Sequence, residues 1–249
     1  MIFNREYIRT RRIRALNCEK FESVNYIFSY GGKIIQDLIE DLNQEGIKEI
    51  LIYGNRGRYP LNIIKNHFLS INIEEEFYSN QVNFEKKYDL IISFFDISSI
   101  DNLPLFFSAI LNKLTEEGVF IGTLIGENSL MNTRQKLWSL EGEASGKYSA
   151  RIWPMIKLPD LTHLIQRAGF LNLISFIEKY EHQYNNLYEF LGDIRYMGES
   201  GGLKTSEYFP KFLYNKLKEE NGGIYKENFE FINFCAAKTS KIFASNVNI

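Results

Sequence analysis

The sequence predicts an α/β protein built on a doubly wound, mostly parallel sheet with an antiparallel C-terminal edge. Three observations lead there. Short apolar strands alternate with segments whose apolar residues recur at helical spacing. The strands, such as Tyr88-Asp89-Leu90-Ile91-Ile92-Ser93-Phe94-Phe95, are near-continuous apolar runs, as befits a sheet covered on both faces. The first strong strand, Glu49-Ile50-Leu51-Ile52-Tyr53, ends in the glycine-bearing turn Gly54-Asn55-Arg56-Gly57-Arg58.

Each element follows in order. Residues 1–16 interleave Arg5, Arg9, Arg11, Arg12 and Arg14 with Ile2, Phe3, Tyr7, Ile8 and Ile13, a pattern for an amphipathic helix with a basic face. Such a face fits a solvated helix, a lid over a site or a grip on an acidic partner. Ile34, Ile35, Leu38, Ile39 and Leu42 mark a second helix, with Gly46 as its stop. A short helix is predicted at 60–68, opened by Pro60, then an edge-like strand at 71–77. Helix 105–114 leads through Glu117-Gly118 into strand 119–124. Helix 129–140 precedes a glycine- and serine-bearing loop at 142–149. Helix 160–168 has Asp160 as its expected N-cap and Gly169 as its stop. Strands 171–178 and 229–237 supply the antiparallel edge, with a helical insertion at 187–220 between them. The expected organisation is an N-terminal helical segment (1–45), a main domain (46–240) and a flexible tail (241–249).

Bulk properties exclude several classes. With 45% hydrophobic and 24% charged residues, the chain has a globular rather than a disordered composition. A net charge of -2 offers no general attraction for nucleic acid. Cys18 and Cys235 lack metal-ligand spacing and are expected to be free thiols. No apolar run approaches the roughly 20 residues a transmembrane helix needs. The opening residues lack a signal-peptide pattern, so a cytoplasmic protein is expected. His67, His163 and His182 sit on separate predicted elements, and no metal site is expected.

Four stretches carry a family likeness. They are Ile2-Phe3-Asn4-Arg5 with its following arginines, Gly118-Val119-Phe120-Ile121-Gly122 with Leu130 and Arg134, Asp160 through Phe170, and Asp193-Ile194-Arg195-Tyr196-Met197-Gly198-Glu199-Ser200. In these the chain resembles the class I methyltransferase-like family of mitochondrial complex I assembly factor 5, an arginine hydroxylase group. Bacterial relatives of that family are often labelled as the malonyl-carrier-protein methyltransferase of biotin synthesis. The resemblance implies a Rossmann-like class I methyltransferase fold and S-adenosylmethionine as cofactor. It implies a protein or carrier substrate, and a complex I subunit or another acidic protein as partner.

The resemblance places the cofactor at Tyr53, Gly54, Asn55 and Gly57, with Ser93 and Phe94 beside them. The loop departs from the family there. Tyr53 stands at the position of an acidic residue, and Arg56 or Asn55 stands where a middle glycine belongs. Ser98-Ser99 replace a His-Trp pair. Asp89 stands 35 positions after Gly54, too few for the usual helix, strand, helix and strand, which need about 55, so one βα unit is expected to be missing. Glu74-Glu75-Glu76 offers a carboxylate for a ribose, or is a solvated edge.

On the acceptor side, Arg134, Arg151, His163 and Arg195 are the expected substrate-binding residues, with Arg167 as a further cation. Scattered surface arginines are the plainer account. No catalytic residue is assigned. Three functions remain open at this point. One is cofactor-dependent modification of a protein or carrier. Another is a catalytically degenerate assembly or adaptor protein that no longer binds S-adenosylmethionine. The third is the malonyl-carrier-protein methyltransferase of biotin synthesis.

Overall fold

The computed structural model describes residues 1–42, 44–54, 59–68, 72–76, 86–146, 148–204, 209–219 and 223–239. The expected tail, 241–249, lies outside them. The helices are α1 (Arg5–Leu16), α2 (Phe21–Val24), α3 (Tyr26–Glu40), α4 (Tyr59–His67), α5 (Leu103–Lys113), α6 (Met131–Ser145), α7 (Leu158–Arg167), α8 (Leu187–Tyr196) and α9 (Lys211–Glu219). The strands are β1 (Glu49–Tyr53), β2 (Asn72–Glu76), β3 (Tyr88–Phe94), β4 (Leu114–Ile125), β5 (Asn172–Tyr184) and β6 (Tyr225–Ala237).

The sheet order is β2-β1-β3-β4-β6-β5. Strands β2, β1, β3 and β4 run parallel, and β6 is antiparallel to β4. Among the described residues, one helix and one edge strand lie between β1 and β3. The order reverses between β1 and β3, so the carboxyl ends of these two strands form the topological switch point where open α/β sheets bind ligands.

Chain contacts divide the protein into two compact units. The first comprises Met1–Asn25, Glu127–Met155 and Lys179–Glu230. The second comprises Tyr26–Gly126, Ile156–Glu178 and the chain from Phe231 onward. The second holds the parallel strands. Leu51, Tyr53, Ile91, Phe120 and Leu124 point to one sheet face and pack with Phe106, Phe107 and Ile110 of α5 and Leu161 and Ile165 of α7. The alternate residues serve the other face, where α3 buries Ile34, Ile35, Leu38 and Ile39 and packs on β4 and α4. Burial on both faces is why the strands read as unbroken apolar runs.

Several boundaries differ from expectation. Asp160 is not the N-cap of α7. Lys157 holds that position, Pro159 falls in the first turn where its missing N–H costs nothing, and Asp160 is the acidic residue of that turn. Helix α6 runs through Gly142 to Ser145 instead of ending near 140. A Cβ on Gly142 would lie 2.8 Å from the Tyr148 hydroxyl, so that glycine admits a ring rather than ending the helix. Strand β4 begins at Leu114, directly after α5, and β5 and β6 are each longer than expected.

Candidate functional site

The switch point is built by the ends of β1 and β3. Tyr53 pairs with Ser93, and Glu76 ends β2 directly beside Tyr53. The Tyr53 ring turns to the α5 face, 5.2 Å from Phe106, and is 2% exposed. Gly54 follows at φ +79, a conformation that favours glycine. A Cβ there would sit 2.2 Å from Cβ of Asp96 and 3.3 Å from the Phe94 carbonyl oxygen. Ser93, Phe94 and Asp96 are fully buried, and Phe95 nearly so.

Asp96 opens a short 3-10 turn, Ile97–Ser99. The Ser99 backbone N–H (3.0 Å) and hydroxyl (2.9 Å) both donate to the Asp96 carbonyl. Ser99 is therefore spent on the turn. Buried Ser98 Oγ and Ser93 Oγ have no hydrogen-bond partner among the described residues. Asn55 and Gly57, with Arg56 and Arg58, lie outside the described residues.

The expected substrate residues do not share one unit. Arg134, Arg151 and Arg195 belong to the first, His163 to the second. Arg151 donates from Nε to Glu141 at 2.8 Å, and both side chains are under a tenth exposed. Glu141 also accepts from the Ser149 backbone at 3.0 Å, so this arginine pins its own loop to α6. Arg134 carries a buried Nε with no partner. Arg195 and His163 are exposed, on α8 and α7, as is Arg167.

The N-terminal helix does not present all its arginines outward. Arg12 is 2% exposed and makes a bidentate pair with Glu199, with Nε and Nη2 each 3.1 Å from a carboxylate oxygen. Its guanidinium lies 5.6 Å from the Trp153 ring centre, and Trp153 Nε1 donates to the Gly201 carbonyl at 2.7 Å. Arg11 reaches the Ser200 hydroxyl. Gly198, at φ +80, lets α1 approach so closely that a Cβ would lie 3.0 Å from Ala15 Cβ and Arg12 Cα. The family-like stretch 193–200 therefore receives α1, and Glu199 is an internal counterion. Complementary charges at Arg11-Arg12 and Glu199 were visible in sequence, but 187 residues separate Arg12 from Glu199.

A second buried carboxylate also escaped the sequence reading. Fully buried Glu227 accepts from the Thr133 backbone N–H (2.8 Å), the Thr133 hydroxyl and the Tyr225 hydroxyl (2.9 Å). It thereby satisfies the first turn of α6. Burial, aided by Glu227, pushes the Tyr225 phenol far above its ordinary range. Asp193 is also raised, first by burial and then by Glu189, with Lys20 opposing. Among the described residues no group of three or more His, Cys, Asp or Glu gathers as a metal site, and no helix is long and apolar enough to cross a membrane.

Comparison with known proteins places this geometry. No protein-family model matches the chain. The mitochondrial arginine-hydroxylase NDUFAF5 of Rattus norvegicus is 30% identical over 165 residues, 66% of this chain and 47% of that protein. The chain thus spans about half the length of the curated relatives it first matches. RP459 of Rickettsia prowazekii, a methyltransferase by name, is 29% identical over 175 residues, 69% of this chain and 74% of that one. Malonyl-[acyl-carrier protein] O-methyltransferase 2 of Ilyobacter polytropus is 26% identical over 145 residues, 58% of this chain and 52% of that one. Among solved structures, the YcgJ protein of Bacillus subtilis superposes with a TM-score of 0.52 at 8% identity, covering 86% of this chain and all of that one. A Bacillus halodurans methyltransferase by name gives 0.51 at 14%, covering 82% and 98%. The chain has the class I methyltransferase fold, and it is related in sequence to the arginine-hydroxylase NDUFAF5 group and its methyltransferase-named relatives.

Proposed function

We propose that this chain is a methyltransferase-fold assembly or adaptor protein that engages a protein partner and no longer holds S-adenosylmethionine. The observation that carries this reading is the packing at Gly54. A cofactor-binding glycine leaves its Cβ space to the ligand. Here Asp96 of the same chain takes that space, 2.2 Å from where a Cβ would be. Gly54 therefore has a structural reason to be glycine that involves no cofactor. The neighbouring positions agree. Tyr53, Ser93, Phe94 and Asp96 are buried by the protein itself, and the residue before the glycine is a phenol where a carboxylate is needed. These residues do not fit the cofactor, and no step of a reaction is routed through it.

The relatives support a polypeptide partner. The malonyl-[acyl-carrier protein] enzyme is named for a protein-borne acceptor, and NDUFAF5 is named for hydroxylating arginine, a residue that polypeptides carry. A complex I subunit is the partner this reading favours.

Two observations favour a second reading, cofactor-dependent modification of a protein or carrier. Glu76 ends β2 beside Tyr53, where a doubly wound fold places its ribose-binding acid, and Ser93 Oγ is buried without a partner. Calorimetry of the purified protein with S-adenosylmethionine separates the two. The proposal expects no heat of binding. A dissociation constant of about 10 μM or tighter, roughly -7 kcal/mol, overturns it. A pull-down then asks for complex I subunits, and recovery of a malonyl carrier protein instead shifts the reading to the biotin branch.

A further inference from the structure

The second unit carries an unexplained cost on the α3 face of its sheet. Thr123 of β4 and Asn233 of β6 are register partners, so their side chains stand side by side on one face. Both are fully buried. Thr123 Oγ1 and Asn233 Oδ1 have no hydrogen-bond partner among the described residues. The Asn233 amide nitrogen donates to the Phe231 carbonyl at 3.2 Å, which orients the amide and leaves its oxygen facing inward. Buried polar atoms are nearly always paired, so two orphans on directly opposed residues call for an explanation.

The neighbouring residue is strained. Phe95 sits at φ +62, a region bulky L-residues avoid. Its ring is pressed onto Gly31, where a Cβ would meet ring carbons at 2.4 and 2.6 Å and the Thr123 methyl at 3.5 Å. Phe95 and Thr123 therefore converge on one point of α3. The Phe28 ring (5.4 Å) and Phe231 ring (5.9 Å) complete the aromatic surround, and half-buried Tyr30 packs on Phe231 at 5.0 Å. Backbone strain persists only where its surroundings enforce it, and it gathers at ligand clamps and switches.

We propose that Thr123 and Asn233 form a closed niche for an uncharged planar ligand, with Phe95 as the gate that covers it. The chemistry of the niche sets the ligand class. Asn233 Oδ1 accepts, so the ligand offers an N–H. The Thr123 hydroxyl donates to an adjacent acceptor on the same group. The rings around it, Phe28, Phe95 and Phe231, carry no charge. A ring carrying a carboxamide, or a similar paired donor and acceptor, meets all three conditions. Relaxing Phe95 out of its left-handed conformation swings its ring from Gly31 and opens the niche. The Phe95 ring faces Gly31 and Phe28 while its neighbours Phe94 and Asp96 adjoin Gly54, and the niche does not require that the crevice at Gly54 take a cofactor.

The test uses benzamide as the probe and toluene as its apolar counterpart, each titrated into the full chain by calorimetry and thermal shift. Phe95→Ala removes the gate and is expected to bind benzamide about tenfold more tightly than the parent chain. Thr123→Val and Asn233→Leu are expected to weaken benzamide binding by about tenfold each while raising the urea midpoint, because each deletes a buried unsatisfied group. Toluene binding is expected to be unchanged by Thr123→Val. Failure of Phe95→Ala to bind benzamide, equal binding of toluene and benzamide, or a lowered urea midpoint in Thr123→Val each overturns the niche. Should Phe95→Ala not fold, the Thr123→Val midpoint and the parent chain's preference for benzamide over toluene decide the matter.

Discussion

Two glycines at nearly the same backbone angle mark two regions with different fates. Gly198 (φ +80) and Gly54 (φ +79) both admit a neighbour that a Cβ would strike. Around Gly198 the polar groups are matched. Arg12 pairs with Glu199, Arg11 with Ser200, and Trp153 with the Gly201 carbonyl. Around Gly54 fewer pairings are made. The preceding residue is Tyr53, and the buried hydroxyls of Ser93 and Ser98 meet no partner among the described residues. The two regions differ in what they demand. Around Gly198 the chain holds to itself, and losing a member leaves a buried charge or a clash.

Three changes break or sharpen that contrast. The largest effect is expected from Glu199→Ala, which strands the buried Arg12 guanidinium without its counterion. Removing one partner of such a pair costs about 3–5 kcal/mol, read as a lower urea midpoint. Glu199→Gln keeps acceptor geometry and should lose less. A change no greater than that of a surface substitution in Glu199→Ala would falsify the clamp.

Gly54→Ala comes next. The positive φ and the 2.2 Å approach of Asp96 together predict a loss of about 2–4 kcal/mol. If Gly54 serves internal packing, that loss is the same with and without S-adenosylmethionine. A parent chain stabilised by the cofactor, with Gly54→Ala losing that gain, would restore the ligand role.

The smallest effect concerns His182, whose pKa is lowered from 6.5 by burial while Nδ1 shares a 2.8 Å hydrogen bond with the Tyr180 hydroxyl. The unfolded chain binds this proton more readily than the folded one. Its contribution is therefore present above pH 6.5 and lost as pH falls through the depressed folded value. His182→Gln should flatten the stability profile below pH 6.5. A ring-proton titration midpoint at or above 6.5 contradicts the assignment.

By itself the sequence determined the architecture. Unbroken apolar runs at β1, β3 and β4, helical periodicity in α3 and the stop signal Gly169 depend on local chemistry, and they placed the parallel sheet, its antiparallel edge and the short interval before β3, whereas α3 ends at Glu40, ahead of the expected stop Gly46. The departures at Tyr53 and Ser98-Ser99 were legible too, because they are changes of residue type.

Tertiary structure decided where the polar groups point. Arg12 and Arg9 sit on one arginine-rich helix, yet Arg12 is buried against Glu199 and Arg9 is exposed. Arg151 reads like any surface cation until Glu141 is found beneath it. Thr123 and Asn233 are unremarkable in strands of apolar residues until β4 and β6 set them side by side. The physical reason is common to all three. Strand and helix propensities are summed over a few adjacent residues, whereas the partner of a buried charge or hydroxyl is chosen by the packing of segments far apart in the chain.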